Sequence, residues 1–510
     1  MSPSTLRELL QAGQDEALAL AAPGAKDLSF AALRAQAVDT AAALRRFGVG
    51  PQDRVAIVLP NGAEMATAFL GVAAAAAAAP LNPGYRGEEF EFYLADLGAK
   101  ALIVEAGSSS PAIEVARRLG LRVLTLLPEP ERGAGCFRLD IEGGADGASG
   151  TAAHSGGAPS ASDVALVLHT SGTTSRPKIV PLSQANLCAS ARNIRLSCAM
   201  DASDRGLNIM PLFHIHGLIA ALLAPLSAGG SVYCTPGFNA LKFFGWMEAA
   251  RPTWYTAVPT MHQALLGRAR QNAAVIAAYP LRFIRSSSAS LPPQVLAELE
   301  ATFGAPVIEA YGMTEATHQM ASNPLPPRRR KPGTVGLPAG PEIAIMDERG
   351  QLLGPGLTGE IVIRGDNVTR GYENNDKANT EAFAHGWFRT GDQGLLDSEG
   401  YLSITGRLKE IISRGGEKIS PREVDEVLMD HPAVLQVVTF GIPHEKLGEE
   451  VGAVVVLREG MSATERELRE FAALRIADFK VPKKVLFMAE IPKGATGKLQ
   501  RIGLAQKLGL

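Results

Sequence analysis

An apolar run, Val164–Leu168, stops at His169 and gives way to Thr170, Ser171, Gly172, Thr173, Thr174 and Ser175, followed by Arg176, Pro177 and Lys178. Hydroxyls and a glycine amide donate hydrogen bonds to phosphate oxygens, glycine lets the backbone approach closely, and Lys178 adds charge where a polyphosphate would sit. The spacing is not a Walker A loop, because Pro177 rather than glycine precedes the lysine and Ile179 rather than Ser or Thr follows it. The competing reading is an ordinary polar turn between two apolar segments. Further along, the same arrangement recurs. Leu207–Leu212 leads into Phe213, His214, Ile215, His216 and Gly217; Leu281–Arg285 leads into Ser286, Ser287, Ser288, Ala289 and Ser290; Val307–Ala310 leads into Tyr311, Gly312, Met313, Thr314 and Glu315. In open α/β sheets ligands bind at the carboxyl ends of strands, so these loops are expected to converge on one site.

The elements that must position these loops follow from periodicity. Apolar residues at Phe30, Leu33, Ala37, Ala41 and Leu44, closed by Gly48, predict an amphipathic helix over Ser29–Phe47. Strand-like runs at Arg54–Leu59, Ala101–Val104 and Arg122–Leu127 alternate with helical stretches around Ala63–Ala75 and Pro111–Leu119, which argues for parallel sheets covered by helices. The segment Glu142–Ser162 is rich in Gly, Ala and Ser and is expected to be a surface linker. Beyond Thr358 the pattern changes to short strands, Gly359–Arg364 and Gly400–Thr405. In the last hundred or so residues, Ser420 and Glu423 around Pro421 read as a capping box opening a helix, Val434–Phe440 and Val451–Leu457 as strands, and Glu465–Ile476 as a helix.

Composition narrows the class. The chain has 510 residues, which at ~100 to 200 residues per domain means two to four domains. With 46% apolar and 20% charged residues it reads as soluble and globular, and a net charge of −2 gives no reason to expect nucleic acid as a partner. The basic run Arg328–Lys331, flanked by prolines, reads as a solvated loop. Four cysteines without CxxC spacing point to a reducing compartment and away from a zinc site. The apolar stretch Ala68–Leu81 falls short of the ~18 residues a membrane span needs and reads as a buried helix running into a strand. Neither a signal peptide at the start nor a Ser-Lys-Leu address at the end is evident, so the expected location is cytoplasmic.

The polar loop after Leu168 resembles the signature loop of the adenylate-forming superfamily, which contains acyl-CoA synthetases, luciferases and peptide-synthetase adenylation domains. Further blocks of that family stand in its order: Tyr311–Glu315, Arg389–Asp392, Gly406–Glu410 and Pro492–Lys498, with Arg54–Asn61 and Pro80–Pro83 extending the resemblance towards the N-terminus. The resemblance implies an α/β fold with a large N-terminal adenylation domain, residues 1–408, of helix-covered sheets and a small β-barrel-like part. It also implies a small mobile α+β C-terminal domain, residues 409–510, hinged at Lys409.

The implied chemistry is activation of a carboxylate by Mg2+-bound ATP and transfer of the acyl group to coenzyme A. Matched residue by residue, Thr170, Ser171, Gly172, Thr173, Thr174 and Lys178 would hold the β and γ phosphates, Thr314 the α-phosphate and Glu315 the magnesium. Tyr311 would stack on adenine, with Ser288, Ala289, Glu309 and Ala310 near the same base, and Asp392 would accept the ribose hydroxyls beside Arg407. Lys498 would supply charge to the adenylation step, while Gly415 and Gly416 would let a pantetheine arm pass in the thiol step. Lys480 and Lys483 are candidates for CoA phosphates, with a solvated face as the alternative. Within the superfamily the runs His169–Lys178, Met210–Leu218, Thr314–Met320, Lys331–Gly336 and Ser413–Pro421 resemble the oxalate–CoA ligase group, which implies an acid pocket at His214, Ser288 and His318. Departures are Ser413 for asparagine and Gly312 for alanine, the latter expected to enlarge the acyl end. Expected partners are a small carboxylic acid, ATP and CoA; the alternatives are a ligase for medium-chain or other small acids, or a carrier-loading adenylation enzyme. Monomer and homodimer both remain open.

Overall fold

Along the strand Arg54–Val58, Val55 and Ile57 point into one core while Ala56 and Val58 point into another, the period-two alternation of a strand buried on both faces. The computed structural model describes residues 2–141, 157–170, 177–492 and 499–510. The expected linker lies outside these residues except for 157–162. The strand belongs to a seven-stranded sheet whose middle members, Arg122–Pro128, Ala101–Glu105, Arg54–Val58, Ala77–Pro80 and Val164–His169, run parallel. Phe137–Ile141 and Ile179–Ser183 close its two edges antiparallel. Ala77–Pro80 is buried throughout, and the helix Ala63–Ala73 feeds it, as the alanine-rich run predicts.

A second sheet of nine strands carries the other loops. Leu18–Ala21, Ser231–Cys234, Arg205–Asn208, Trp254–Ala257, Phe283–Ser286 and Val307–Met313 are parallel neighbours, and His318–Ser322 returns antiparallel against the last of them. Here too the faces divide: Val232, Phe283 and Ile308 join the core shared with the first sheet, while Tyr233, Ile284 and Val307 face a separate one. Two sheets therefore enclose a common helical layer. Each also carries an outer layer, so the strand ends of both sheets sit on one continuous core.

Five antiparallel strands follow, Glu342–Met346, Gly359–Arg364, Phe383–Ala384, Trp387–Leu396 and Leu402–Arg407, bent by bulges between Glu360 and Val362 and between Gln393 and Gly394 into a half-barrel. The small C-terminal part pairs Ile412–Arg414, Glu417–Ile419, Val434–His444, Gly448–Leu457 and Lys484–Phe487, with Val437 and Val455 facing one core and Val438 and Val454 another. Its helix Pro421–Met429 begins at Ser420, whose hydroxyl accepts from the Glu423 amide. The predicted box is half formed. The Glu423 carboxylate turns away to the Lys480 ammonium at 2.6 and 2.8 Å, an ion pair that outcompetes a neutral backbone donor.

Candidate active site

The phosphate-side residues meet around a tyrosine that no motif flagged. Thr170 and Lys178 close the base of the signature loop, with the Thr170 amide donating to the Lys178 carbonyl at 2.9 Å and the Lys178 amide to Thr170 Oγ1 at 3.1 Å. Ser171, Gly172, Thr173 and Thr174 lie outside the described residues. Lys178 Nζ stands 4.3 Å over the Tyr372 ring, and the Tyr372 hydroxyl donates to Glu315 Oε1 at 2.8 Å. Thr314 and Glu315 occupy one 3-10 turn, Thr314–Ala316, directly after the strand Val307–Met313. Burial pushes the Glu315 carboxyl up, and the Tyr372 hydrogen bond, Lys178 and Arg407 pull it back. Among the described residues no cluster of three or more His, Cys, Asp or Glu could hold a metal ion. Glu315, the residue expected at the magnesium, is a single carboxylate whose Oε1 accepts from the Tyr372 hydroxyl.

Tyr311, Asp392 and Arg407 form a chain. The Tyr311 hydroxyl donates to Asp392 Oδ2, and Arg407 Nε donates to Asp392 Oδ1 at 2.9 Å. Pairing of the half-barrel strands sets Asp392 opposite Arg407. Nearby, Ser287 Oγ donates to the Ala310 carbonyl at 2.9 Å, Ala310 is buried and Ala289 is exposed. Glu309 is 1% exposed; its Oε1 accepts from the Leu291 amide at 3.0 Å, while Oε2 has no partner among the described residues. Burial pushes this carboxyl up to about 7.

Ser288 and His318 come together through two residues to which the sequence assigned no role. His216 Nδ1 lies 3.0 Å from Ser288 Oγ and its Nε2 lies 2.6 Å from Thr256 Oγ1. The His216 and His318 rings lie tilted against each other, 4.9 Å apart at 32°. Between them reaches Arg285, whose Nη1 is 3.3 Å from His318 Nε2 and whose Nη2 donates to Gln319 Oε1 at 3.1 Å. His214 stands two residues earlier, half-buried, its Nδ1 accepting from the His216 amide at 3.3 Å. A π-helix, His216–Leu223, follows, a form frequent at functional sites. Gly217 permits it, since a Cβ there would stand 2.1 Å from the Pro211 carbonyl oxygen.

Gly312 does not enlarge the acyl end. A Cβ at that position would lie 1.8 Å from the His318 carbonyl oxygen and 3.0 Å from His318 Nδ1, so the space is filled by the returning strand. The bulge between Tyr311 and Gly312 brings that strand in. A charged ring at His318 is disfavoured by its neighbour. Arg285 can only donate, so His318 Nε2 must be an acceptor.

In the C-terminal part, Gly415 and Gly416 form the two-residue turn of the hairpin between Ile412–Arg414 and Glu417–Ile419, at φ +58° and +96°. The contacts of this hairpin run to its own sheet, with the Gly415 amide on the Leu447 carbonyl at 2.8 Å and Arg414 on Glu450 at 2.5 Å. Lys498 and its glycine loop lie outside the described residues. Lys480, a candidate for a CoA phosphate or a solvated face, pairs with Glu423 at 2.6 Å.

Comparison with known proteins agrees with this arrangement. The AMP-binding enzyme family matches residues 9–373, and the AMP-binding enzyme C-terminal domain matches residues 423–498. An oxalate–CoA ligase of Arabidopsis thaliana is 48% identical over 465 residues, covering 90% of this chain and 89% of the relative. One of Saccharomyces cerevisiae is 43% identical over 479 residues, covering 89% and 87%. The crystal structure of ATP-bound MatB from Rhodopseudomonas palustris superposes with a TM-score of 0.88 at 31% identity over 99% of both chains. Two family domains in order, on a fold shared from end to end, place this chain in the AMP-binding enzyme family.

Proposed function

We infer that the chain is an ATP-dependent, AMP-forming acid–CoA ligase, and we propose oxalate as its acid. In the first step a carboxylate oxygen of the acid attacks the α-phosphorus of ATP and the bond to the β-phosphate oxygen breaks, releasing pyrophosphate. In the second, the CoA thiol attacks the acyl carbon, loses its proton and displaces AMP. Charge builds on the phosphoryl oxygens in the first step, so cations and donors aimed there lower its barrier. Thr170, Lys178 and the loop between them would hold the terminal phosphates, Thr314 the α-phosphate, and Glu315 the magnesium that neutralises them. Asp392, held between Tyr311 and Arg407, would accept the ribose hydroxyls. Lys498 would bring a unit charge to the reacting oxygens, worth up to about 4 kcal/mol at ~4 Å and an effective dielectric near 20.

The observation that carries the acid is the polar cluster of Ser288, His216 and His318 at one end of the site. A hydrocarbon would leave the Ser288 hydroxyl without an acceptor, whereas a second carboxylate bonded directly to the reacting one accepts from it. The oxalate–CoA ligase relatives support the same assignment. Pyrophosphate release and thioester formation, measured separately over a panel of acids, test it. Oxalate should give the highest kcat/KM, malonate and glyoxylate weak turnover, and octanoate and cinnamate almost none, since sites built on buried hydrogen bonds reject ligands that lack them by ~10⁴-fold. A medium-chain or aromatic acid that outruns oxalate would overturn the acid assignment and leave the ligase standing. Adenylate formation without transfer to CoA would point to a carrier protein as the acceptor.

A further inference from the structure

Arg285 is fully buried at the end of the strand Phe283–Ser286. Among the described residues no carboxylate pairs with it. Its guanidinium meets His318 Nε2 at 3.3 Å, His216 Nε2 at 3.5 Å and Gln319 Oε1 at 3.1 Å, all uncharged acceptors, and Nε has no partner among the described residues. Burial pulls the guanidinium down to about 10, which leaves it charged at neutral pH. Isolated buried charge costs several kcal/mol of solvation, and a fold tolerates it where an anion completes the site.

We propose that Arg285 is a positioning residue for the acid: it holds both imidazoles in one tautomer and places a permanent positive charge behind the donors that meet the distal carboxylate. This rests on the reading of the cluster as the acid pocket. Because Arg285 only donates, both Nε2 atoms accept from it and each ring carries its proton on Nδ1. Thr256 Oγ1, 2.6 Å from His216 Nε2, donates in the same sense. His216 Nδ1–H then donates to Ser288 Oγ at 3.0 Å, which frees the serine proton for the ligand. His318 Nδ1 lies on the side of Gly312. The pocket thus selects a negative charge without protonating a histidine.

The groups facing Arg285 from the elements around it are His216 of the π-helix, His318 of the returning strand, the Cys198 thiol beyond the helix Gln184–Ser197, and His262 of the helix Pro259–Ala269, whose Nδ1 meets the Tyr255 hydroxyl at 3.2 Å. Burial raises the thiol and drives His262 down to about 3, so neither changes charge near neutrality. The wild-type KM for oxalate should therefore stay flat from about pH 6 to 8. A KM that rises through about pH 6.5, the ordinary imidazole range, would assign the charge to a histidine and overturn the proposal.

Oxalate and glyoxylate differ in the charge of the tail, so their ratio isolates Arg285 from the identity of the best acid. Arg285→Gln should lower the oxalate preference over glyoxylate roughly ten- to hundredfold, with a smaller change in the KM for ATP. It should also make oxalate binding tighten below about pH 6.5, where the released imidazoles can protonate. Arg285→Lys, which keeps the charge, should retain most of the preference. An unchanged ratio in Arg285→Gln, or equal losses for oxalate, glyoxylate and ATP, would overturn the proposal. If Arg285→Gln does not fold, the lysine variant and the wild-type pH profile decide. Where an acid is not turned over, its Ki against the preferred acid gives the same ratio, so failure of the oxalate assignment stays separate from failure of the charge assignment.

Discussion

Ser288, Thr317 and His318 hold φ angles of +75°, +49° and +100°, a region that costs a residue with a side chain about 1 to 3 kcal/mol. Three such residues at one end of the site are held there by the surrounding bonds: Thr317 Oγ1 donates to the Asn367 carbonyl at 2.7 Å, and Ser190 Oγ donates to the Thr317 carbonyl at 2.6 Å. His318→Ala and His318→Gly remove the same ring, but only glycine relieves the backbone. The glycine variant should therefore be the more stable of the two by about 1 kcal/mol in denaturant unfolding, reversing the usual order, in which alanine is favoured. Greater stability of the alanine variant would mean that the backbone is relaxed. Both variants should raise the KM for oxalate more than that for ATP. Ser288 and His318 are expected in the acid pocket only through the family resemblance of the runs that hold them. Arg285 was read only as the last residue of a strand, since arginine is rarely buried and nothing in one sequence marks the exception. Tyr372 sits in no motif, and its place between Lys178 and Glu315 exists only after folding.

The helices and strands of both large sheets could be read from short apolar runs bounded by Gly and polar turns. Element ends moved by a few residues: Leu207–Leu212 contains a strand only to Asn208, after which the Asn208 side chain accepts from the Met210 amide at 2.9 Å and turns the chain. The π-helix left no pattern. His216–Leu223 is buried all round, and a uniformly apolar run has no period to distinguish helix types. The helix Pro421–Met429 reaches the second sheet, where Arg422 acts on Glu309 against the larger effect of burial. Glu309 has a folded-state value of about 7 against an ordinary 4.5, so the folded protein binds the extra proton between those limits. Its contribution to stability is present below about 4.5 and is lost as pH rises through about 7, by up to roughly 3 kcal/mol. Glu309→Gln, which stays neutral, should flatten that part of the stability profile in urea unfolding between pH 5 and 8. A variant profile as steep as the wild type would remove Glu309 as the cause.

At the scale of the whole molecule, two anchored regions flank Lys409. On the N-terminal side Arg407 is held by Asp392 at 2.9 Å, and the Leu408 amide donates to the Gly391 carbonyl at 2.9 Å. On the C-terminal side Arg501 gathers Glu410 at 2.7 Å, Asp425 and the Thr439 carbonyl, so Glu410 belongs to the small C-terminal part. Lys409 lies exposed between them, and we propose it as the hinge. Rotation about it would break contacts that cross the boundary, among them Arg422 to the Ile404 carbonyl at 2.7 Å and Ser420 to the Thr405 carbonyl. It would leave the Arg501 cluster intact. Proline at 409 fixes φ near −65° and pushes Leu408 towards extended backbone. Lys409→Pro should therefore slow whichever half-reaction requires the other backbone state, while the Arg501 cluster keeps each part folded. Pyrophosphate exchange measures adenylation, and transfer from supplied oxalyl adenylate measures thioester formation. The two rates should fall unequally, by at least about tenfold in their ratio, or 1.4 kcal/mol of differential barrier. Equal losses in both would mean that Lys409 supports the fold rather than a rotation between the two steps.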